Sequence, residues 1–204
     1  MIGKKIYYER NLPHWQPEGR QLFVTWRLSG SLPAKVMSRL RASKTSELGR
    51  RFREFDVELD RGVSGPLWMQ ETRVAEIVVD GIKGAEQKGM CKVHAWVVMP
   101  NHVHLLVEPL ATVASITQAI KGRTARNANA TLGRIGKMFW QDESFDRWIR
   151  NEGEFGKVKD YIERNPVLAG LVERERDWAW SSAGVGNASV DVQNLGSVGE
   201  KFTG

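Results

Sequence analysis

The segment CKVHAWVVMPNHVHLLVEP, residues 91–109, constrains the fold more than any other part of this chain. Two runs rich in β-branched and aromatic residues flank Pro-Asn, a pair suited to a tight turn, so the pattern predicts a hairpin. Its strands run over about 91–99 and 102–109, the second ended by Pro109. Side chains at i and i+2 of a strand share a face, so His102 and His104 project together while Val103 points the other way. Neutral imidazoles whose bases lie about 7 Å apart can converge on one divalent cation. An HxH pair also occurs as two hydrogen-bonded histidines on a half-buried strand, and the pattern alone leaves both readings open. His14 and His94 do not stand at ligand spacing with the pair and read as structural or exposed.

Before the hairpin, RQLFVTWRLSG predicts a strand over about 21–28, closed by Ser-Gly. LWMQETRVAEIVVDGIKGAEQKG follows with apolar residues at helical spacing through Val74, Ile77, Val78 and Ile82, the signature of a core helix. After the hairpin, TVASITQAIKGRTARNANATLG predicts another helix, with Thr112 or Ser115 as its cap. KMFWQDESFDRWIR reads as an irregular aromatic connection leading into a strand near 144–150, and EGEFGKVKDYIERN as a helix ended by Pro166. The order strand, helix, strand, strand, helix, strand is that of a ferredoxin-like α+β domain with an antiparallel sheet and helices on one face.

Two stretches fall outside that frame. Residues 30–65 form a basic segment whose apolar spacings suggest a helical insertion, and residues 184–204 are rich in Gly, Ser and Val with little periodicity, a flexible or surface-docked tail. Residues 1–183 are expected to make a single domain, which the chain's 204 residues comfortably allow.

Lys and Arg outnumber Asp and Glu by 30 to 24, and the basic pI of about 9.6 suits a polyanionic partner. The single cysteine, Cys91, excludes an intrachain disulfide framework, and no apolar run reaches the roughly 20 residues of a membrane span. The N-terminal stretch has early positive charge but no apolar core or cleavage site of a signal peptide, so a cytoplasmic location is expected.

A third ligand is sought in KDYIERNPVLAGLV, where Tyr161 and Asn165 stand four residues apart and face the same way on a helix. A phenol there could reach a phosphate and an amide oxygen the metal. Asn before Pro is also how a new helix begins, with Asn as cap, and Tyr161 also reads as a core aromatic. Asp142, Glu143 and Asp146 in WQDESFDRW read as loop-ordering acids rather than ligands.

MPNHVHLLV, followed some sixty residues later by YIERNPVLAGLV with FWQDESFDRWIR between, resembles the HUH single-tyrosine transposases, most closely the REP-associated tyrosine transposases of bacteria. The likeness runs from about 91 to 183, with a further trace in LPHWQPEGRQLFVTWRL. It implies the HUH endonuclease fold, His102, His104 and Asn165 as ligands of Mg²⁺ or Mn²⁺, and Tyr161 as nucleophile. The implied activity is metal-dependent cleavage and strand transfer on single-stranded, structured repeat DNA through a 5′-phosphotyrosine. Some relatives carry Gln at the Asn165 position.

A single-stranded substrate calls for cations along its backbone and aromatics against its bases. Lys121, Arg123 and Arg126 after the histidine-bearing strand, with Lys4, Lys5 and Arg10 as an N-terminal arm, are the candidates, though each also fits an ordinary solvated surface. A histidine-triad phosphohydrolase is disfavoured because Leu106 stands where a third alternating histidine would be needed. The alternative from another class is a domesticated protein that binds hairpin DNA without cutting it. Monomer and homodimer are both compatible with the sequence.

Overall fold

The structure, a computed structural model, describes residues 6–9, 13–16, 19–33, 35–36, 38, 48–60 and 65–184. Lys4, Lys5, Arg10 and the expected tail beyond Gly184 lie outside the described residues. Among the described residues, six strands and four longer helices follow in order: β1 (Ile6–Glu9), β2 (Pro13–Gln16), β3 (Leu22–Leu28), α1 (Leu48–Asp60), α2 (Thr72–Gln87), β4 (Cys91–Val98), β5 (His102–Pro109), α3 (Val113–Thr131), β6 (Trp140–Trp148) and α4 (Glu152–Leu168). β1 and β2 pair as a small antiparallel hairpin.

The main sheet has the order β4-β5-β3-β6, with all neighbours antiparallel. Strands β3, β4, β5 and β6 with α2 and α3 therefore form the expected ferredoxin-like unit. One face of the sheet, carrying Trp26 and Val103, packs on α2 and α3. Trp26 meets Trp140 edge to face, and Trp140 Nε1 donates to Thr124 Oγ1 of α3 at 2.9 Å. Gly81 of α2 lies directly against Thr124, where a Cβ would collide with its methyl, so glycine sets the close approach of the two helices. Thr112 caps α3, its side chain accepting from Ser115 N at 3.2 Å.

The other sheet face carries Phe23, Thr25, His102 and His104, and is covered by α4 and the C-terminal end of α1. The C-terminal segment then runs along the free edge of β4: Ser181 bridges to Val97, Val98 N donates to Trp180 O at 2.8 Å, and Trp178 Nε1 donates to Val98 O at 3.0 Å. An otherwise open sheet edge is thereby paired.

Two sequence expectations need correction. The aromatic stretch 139–143 is not an irregular connection: β6 already begins at Trp140, because Phe139 and Trp140 are buried against the Trp68 and Trp26 rings. Nor does α4 end before Pro166; it continues to Leu168, with Asn165 O accepting from Ala169 N at 2.9 Å. Proline's fixed φ suits a helix, and its cost is one backbone bond in the last turn, which burial of Asn165 and Pro166 offsets. Asn165 is consequently an interior helical residue and not the cap of a new helix.

Candidate metal centre and tyrosine site

His102 and His104 sit at the start of β5, fully buried, with their Nε2 atoms 3.1 Å apart. The preceding turn fixes the first ring. Asn101 Nδ2 donates to Leu59 O of α1 at 2.8 Å, which orients the amide so that its Oδ1 faces His102 Nδ1 at 2.6 Å. His102 Nδ1 therefore carries the hydrogen, and its Nε2 presents a lone pair to the interior. His104 Nδ1 lies 2.8 Å from Thr25 Oγ1 across the strand pair. A hydroxyl both donates and accepts, so Thr25 supports either tautomer of His104, including the one that frees Nε2 as a ligand.

Burial first, and then neighbouring His104, push His102 down to about 3, against the opposing pull of Asp56, so the ring is neutral at physiological pH. A carboxylate completes the cluster: Asp56 Oδ1 of α1 lies 3.2 Å from His104 Nε2 and 3.9 Å from His102 Nε2. Asp56 is buried, yet its pKa is lowered because the two histidines and the Asn165 amide together outweigh desolvation. Asp60, one turn on, approaches His102 Nε2 at 3.7 Å. Its pKa is raised to about 7 by burial and by the charge of Asp56.

Asp56, His102 and His104 form a buried group whose ligand atoms all lie within 4.8 Å of one another, able to hold a metal ion. Both carboxylate oxygens of Asp56 and both amide atoms of Asn165 are buried without an aligned hydrogen-bond partner. Unsatisfied buried polar atoms cost about 1–3 kcal/mol each, more when charged, and a divalent cation would remove that cost for the three oxygens among them. The residues present thus fit a metal, with imidazole nitrogens and hard oxygens as donors.

Tyr161 stands one helical turn before Asn165 on α4. Its ring lies 5.8 Å from that of His104 and 6.4 Å, edge-on, from that of Phe23, which itself stacks on His104 at 5.4 Å. The helix is anchored at both ends. Asn151 caps it through Glu154 N at 2.9 Å, the Glu154 carboxylate bonds Arg147 of β6 and Arg150 N, and Glu163 accepts from Ser182 Oγ at 3.0 Å.

The structure therefore brings His102, His104, Asn165 and Tyr161 together. It does not bring Lys121, Arg123 or Arg126 to them, because α3 lies on the opposite face of the sheet. Lys121 Nζ donates to the carbonyls of Gln141 at 2.6 Å and Asp142 at 2.8 Å, so it fastens β6 to α3, while Arg123 and Arg126 are exposed. His94 approaches Glu108 at 3.7 Å and meets Phe155 edge to face, a structural role as expected. Asp56, Asn101 and Thr25 were not singled out from the sequence. The available signal for Asp56 was the acidic pair Asp56 and Asp60, four apart and so on one face of the helix.

Residues 66–165 match the family described as "Transposase IS200 like". A REP-associated tyrosine transposase of Escherichia coli (strain K12) is 31% identical over 94 residues, which make up 45% of this chain and 53% of that protein. The chain matches about half the length of this curated relative. Among solved structures, a REP-associated tyrosine transposase bound to a REP hairpin shares the fold with a TM-score of 0.55 and 22% identity, over 89% of this chain and 85% of that one. The matched segment contains both histidines, Tyr161 and Asn165, and over that segment the chain is similar to the IS200-like transposase family.

Proposed function

We propose that this protein is a metal-dependent single-stranded DNA endonuclease and strand transferase that acts on structured repeat DNA through a 5′-phosphotyrosine on Tyr161. The observation that carries this reading is the convergence of Tyr161 and Asn165, on one face of α4, upon the buried pair His102 and His104. His102, His104, Asn165 and Asp56 would hold Mg²⁺ or Mn²⁺. A divalent cation there supplies positive charge that offsets the charge gathering on a scissile phosphate.

Tyr161 supplies the attacking oxygen. Its phenol, with an ordinary pKa of about 10, must lose its proton as the new P–O bond forms and the bond to the 3′-oxygen breaks, releasing a 3′-hydroxyl. An aryl oxide is a good leaving group, so another 3′-hydroxyl can reverse the step and rejoin a strand without a nucleotide cofactor. Phe23, stacked on His104 and edge-on to Tyr161, keeps ligand and nucleophile in fixed relation. Arg123 and Arg126, on the far face of α3, could contact only a part of the DNA that extends beyond the site. A hairpin-bearing single strand as partner and a cytoplasmic location belong to the same proposal. Among the described residues no helix is long and apolar enough to cross a membrane.

One observation favours a second reading, hairpin binding without cleavage. Asp56, His102, His104 and Asn165 are each at most 1% exposed, so a phosphate cannot touch them without a rearrangement of what covers them. The test is incubation with labelled hairpin oligonucleotides and Mn²⁺, followed by denaturing electrophoresis. A denaturant-resistant band that disappears with EDTA and in Tyr161→Phe supports the nuclease; tight native binding with no such band supports the second reading.

A further inference from the structure

Between Glu108 and Asp142 the chain has no acidic residue, yet it has five cations, Lys121, Arg123, Arg126, Arg134 and Lys137. Lys121 serves the carbonyls of β6, and the other four have no carboxylate partner among the described residues. The turn after α3 adds apolar side chains to this charge. Arg134 O accepts from Lys137 N at 3.0 Å and Gly136 stands at φ +79°, a type II turn with Ile135 at its first central position. Asn129 of α3 fastens it, its O accepting from Arg134 N and its Nδ2 donating to Lys137 O, each at 2.7 Å. The Arg134 guanidinium rests 3.8 Å from the Trp68 ring, which in turn stacks on Phe139. This pinned turn leaves Ile135 81% and Met138 57% exposed, two of the five large apolar side chains so exposed among the described residues.

We propose that the turn is a wedge for the foot of a hairpin stem. Ile135 and Met138 abut the terminal base pair where the duplex opens into its single strand, and Arg126, Arg134 and Lys137 face the phosphates on either side. The inference rests on the hairpin partner of the reading above and not on cleavage.

Two relationships support this occupant. The turn lies at the end of the sheet where the histidine pair begins: Leu28 N donates to Asn101 O and Ser29 N to Phe139 O, both at 2.8 Å, and Asn101 bonds His102. A single strand that enters the cluster from that end brings its stem to the turn. The chemistry also matches, since the end of a duplex is an apolar base-pair face between two anionic backbones, and aliphatic side chains flanked by cations wedge against such faces. Two apolar side chains fall far short of the roughly 800 Å² per partner of a stable protein interface, and the unpaired cations around them repel the same turn of a second copy. A lone unpaired base calls instead for an aromatic platform, but Phe139 is buried and Trp68 is engaged by Arg134 and Phe139.

The test measures binding in EDTA, so that no strand is cut, to a hairpin with a single-stranded tail and to the same tail without its stem. 2-Aminopurine in the terminal pair of the stem reports unstacking. Wild type is expected to bind the tailed hairpin roughly tenfold or more tightly than the tail and to raise the fluorescence. Ile135→Ser combined with Met138→Ser is expected to abolish the rise and to weaken hairpin binding roughly tenfold, with tail affinity unchanged. Arg126→Ala and Lys137→Ala are each expected to lower the salt slope of hairpin binding by about one. Unchanged hairpin affinity and fluorescence in the double variant overturns the wedge. An equal loss on the tail alone also overturns it, as does a wild-type dimer that the double variant splits in sedimentation. The nuclease reading is judged separately, by the Mn²⁺-dependent adduct on Tyr161: an adduct without a fluorescence rise leaves the nuclease and overturns the wedge, and a rise without an adduct supports the wedge on a protein that only binds.

Discussion

Asp56 Oδ1 and His104 Nε2 lie 3.2 Å apart, joining a helix of the basic 30–65 segment to the strand that carries the histidine pair. A buried carboxylate in that place makes the segment part of the candidate metal centre rather than an added surface. Asp56→Ala is expected to lower Mn²⁺ affinity by at least roughly tenfold, read by calorimetry, with the fold retained by circular dichroism. Unchanged affinity would remove Asp56 from the ligand set.

Asn101 holds both the His102 tautomer and the end of α1, through bonds of 2.6 and 2.8 Å. Asn101→Ala leaves His102 Nδ1 and Leu59 O without their partners. A stability loss of about 1–3 kcal/mol is expected in denaturant melts, together with a fall in Mn²⁺ affinity of about 10–100-fold.

Lys121 tests the division between the two sheet faces. Because its ammonium serves the carbonyls of Gln141 and Asp142, Lys121→Met is expected to cost about 1–2 kcal/mol of stability and to leave hairpin affinity nearly unchanged. Weaker DNA binding at full stability would return Lys121 to the nucleic-acid surface.

Acidification acts on two neighbouring groups in opposite directions. With its pKa depressed from 6.5 to about 3, folded His102 binds fewer protons than the unfolded imidazole, so the stability present above pH 6.5 is lost as pH falls through that window. Asp60, raised from 3.8 to about 7, binds more protons when folded, and its contribution is full below pH 3.8 and lost as pH rises to 7. The two offset each other in the metal-free protein. Asp60→Asn removes one of them, and its melting temperature in EDTA is expected to drop more steeply than wild type between about pH 6.5 and pH 4. Parallel curves would contradict the assignment.

Local signals carried much of this structure. The β4–β5 hairpin, the α2 stripe and the Thr112 cap follow from residues close in sequence, where periodicity and turn chemistry act directly. The histidine pair was legible for the same reason, since two residues on one strand share a face whatever surrounds them. Tyr161 and Asn165 were legible as partners on a helix, but the continuation of α4 past Pro166 was not. That continuation depends on burial of Asn165 and Pro166 against the sheet, a tertiary gain that outweighs one lost backbone bond. Asp56 was hidden for a related reason. Its distance to His104 is set by how α1 docks on the Asn101 turn, and nothing in RFREFDVELD alone encodes that contact.

One tyrosine of this chain is expected to become covalently joined to DNA under control of the buried cluster. The chain has three tyrosines, Tyr7, Tyr8 and Tyr161, so peptide mapping by mass spectrometry separates them cleanly. The direct measurement is proteolysis and mass analysis of the Mn²⁺-dependent adduct formed on a hairpin oligonucleotide, for wild type and for His102→Ala and His104→Ala. The expected result is a 5′-phosphonucleotide on the peptide containing Tyr161 in wild type and none in either histidine variant. Attachment at Tyr7 or Tyr8, or an undiminished Tyr161 adduct in both histidine variants, would contradict it.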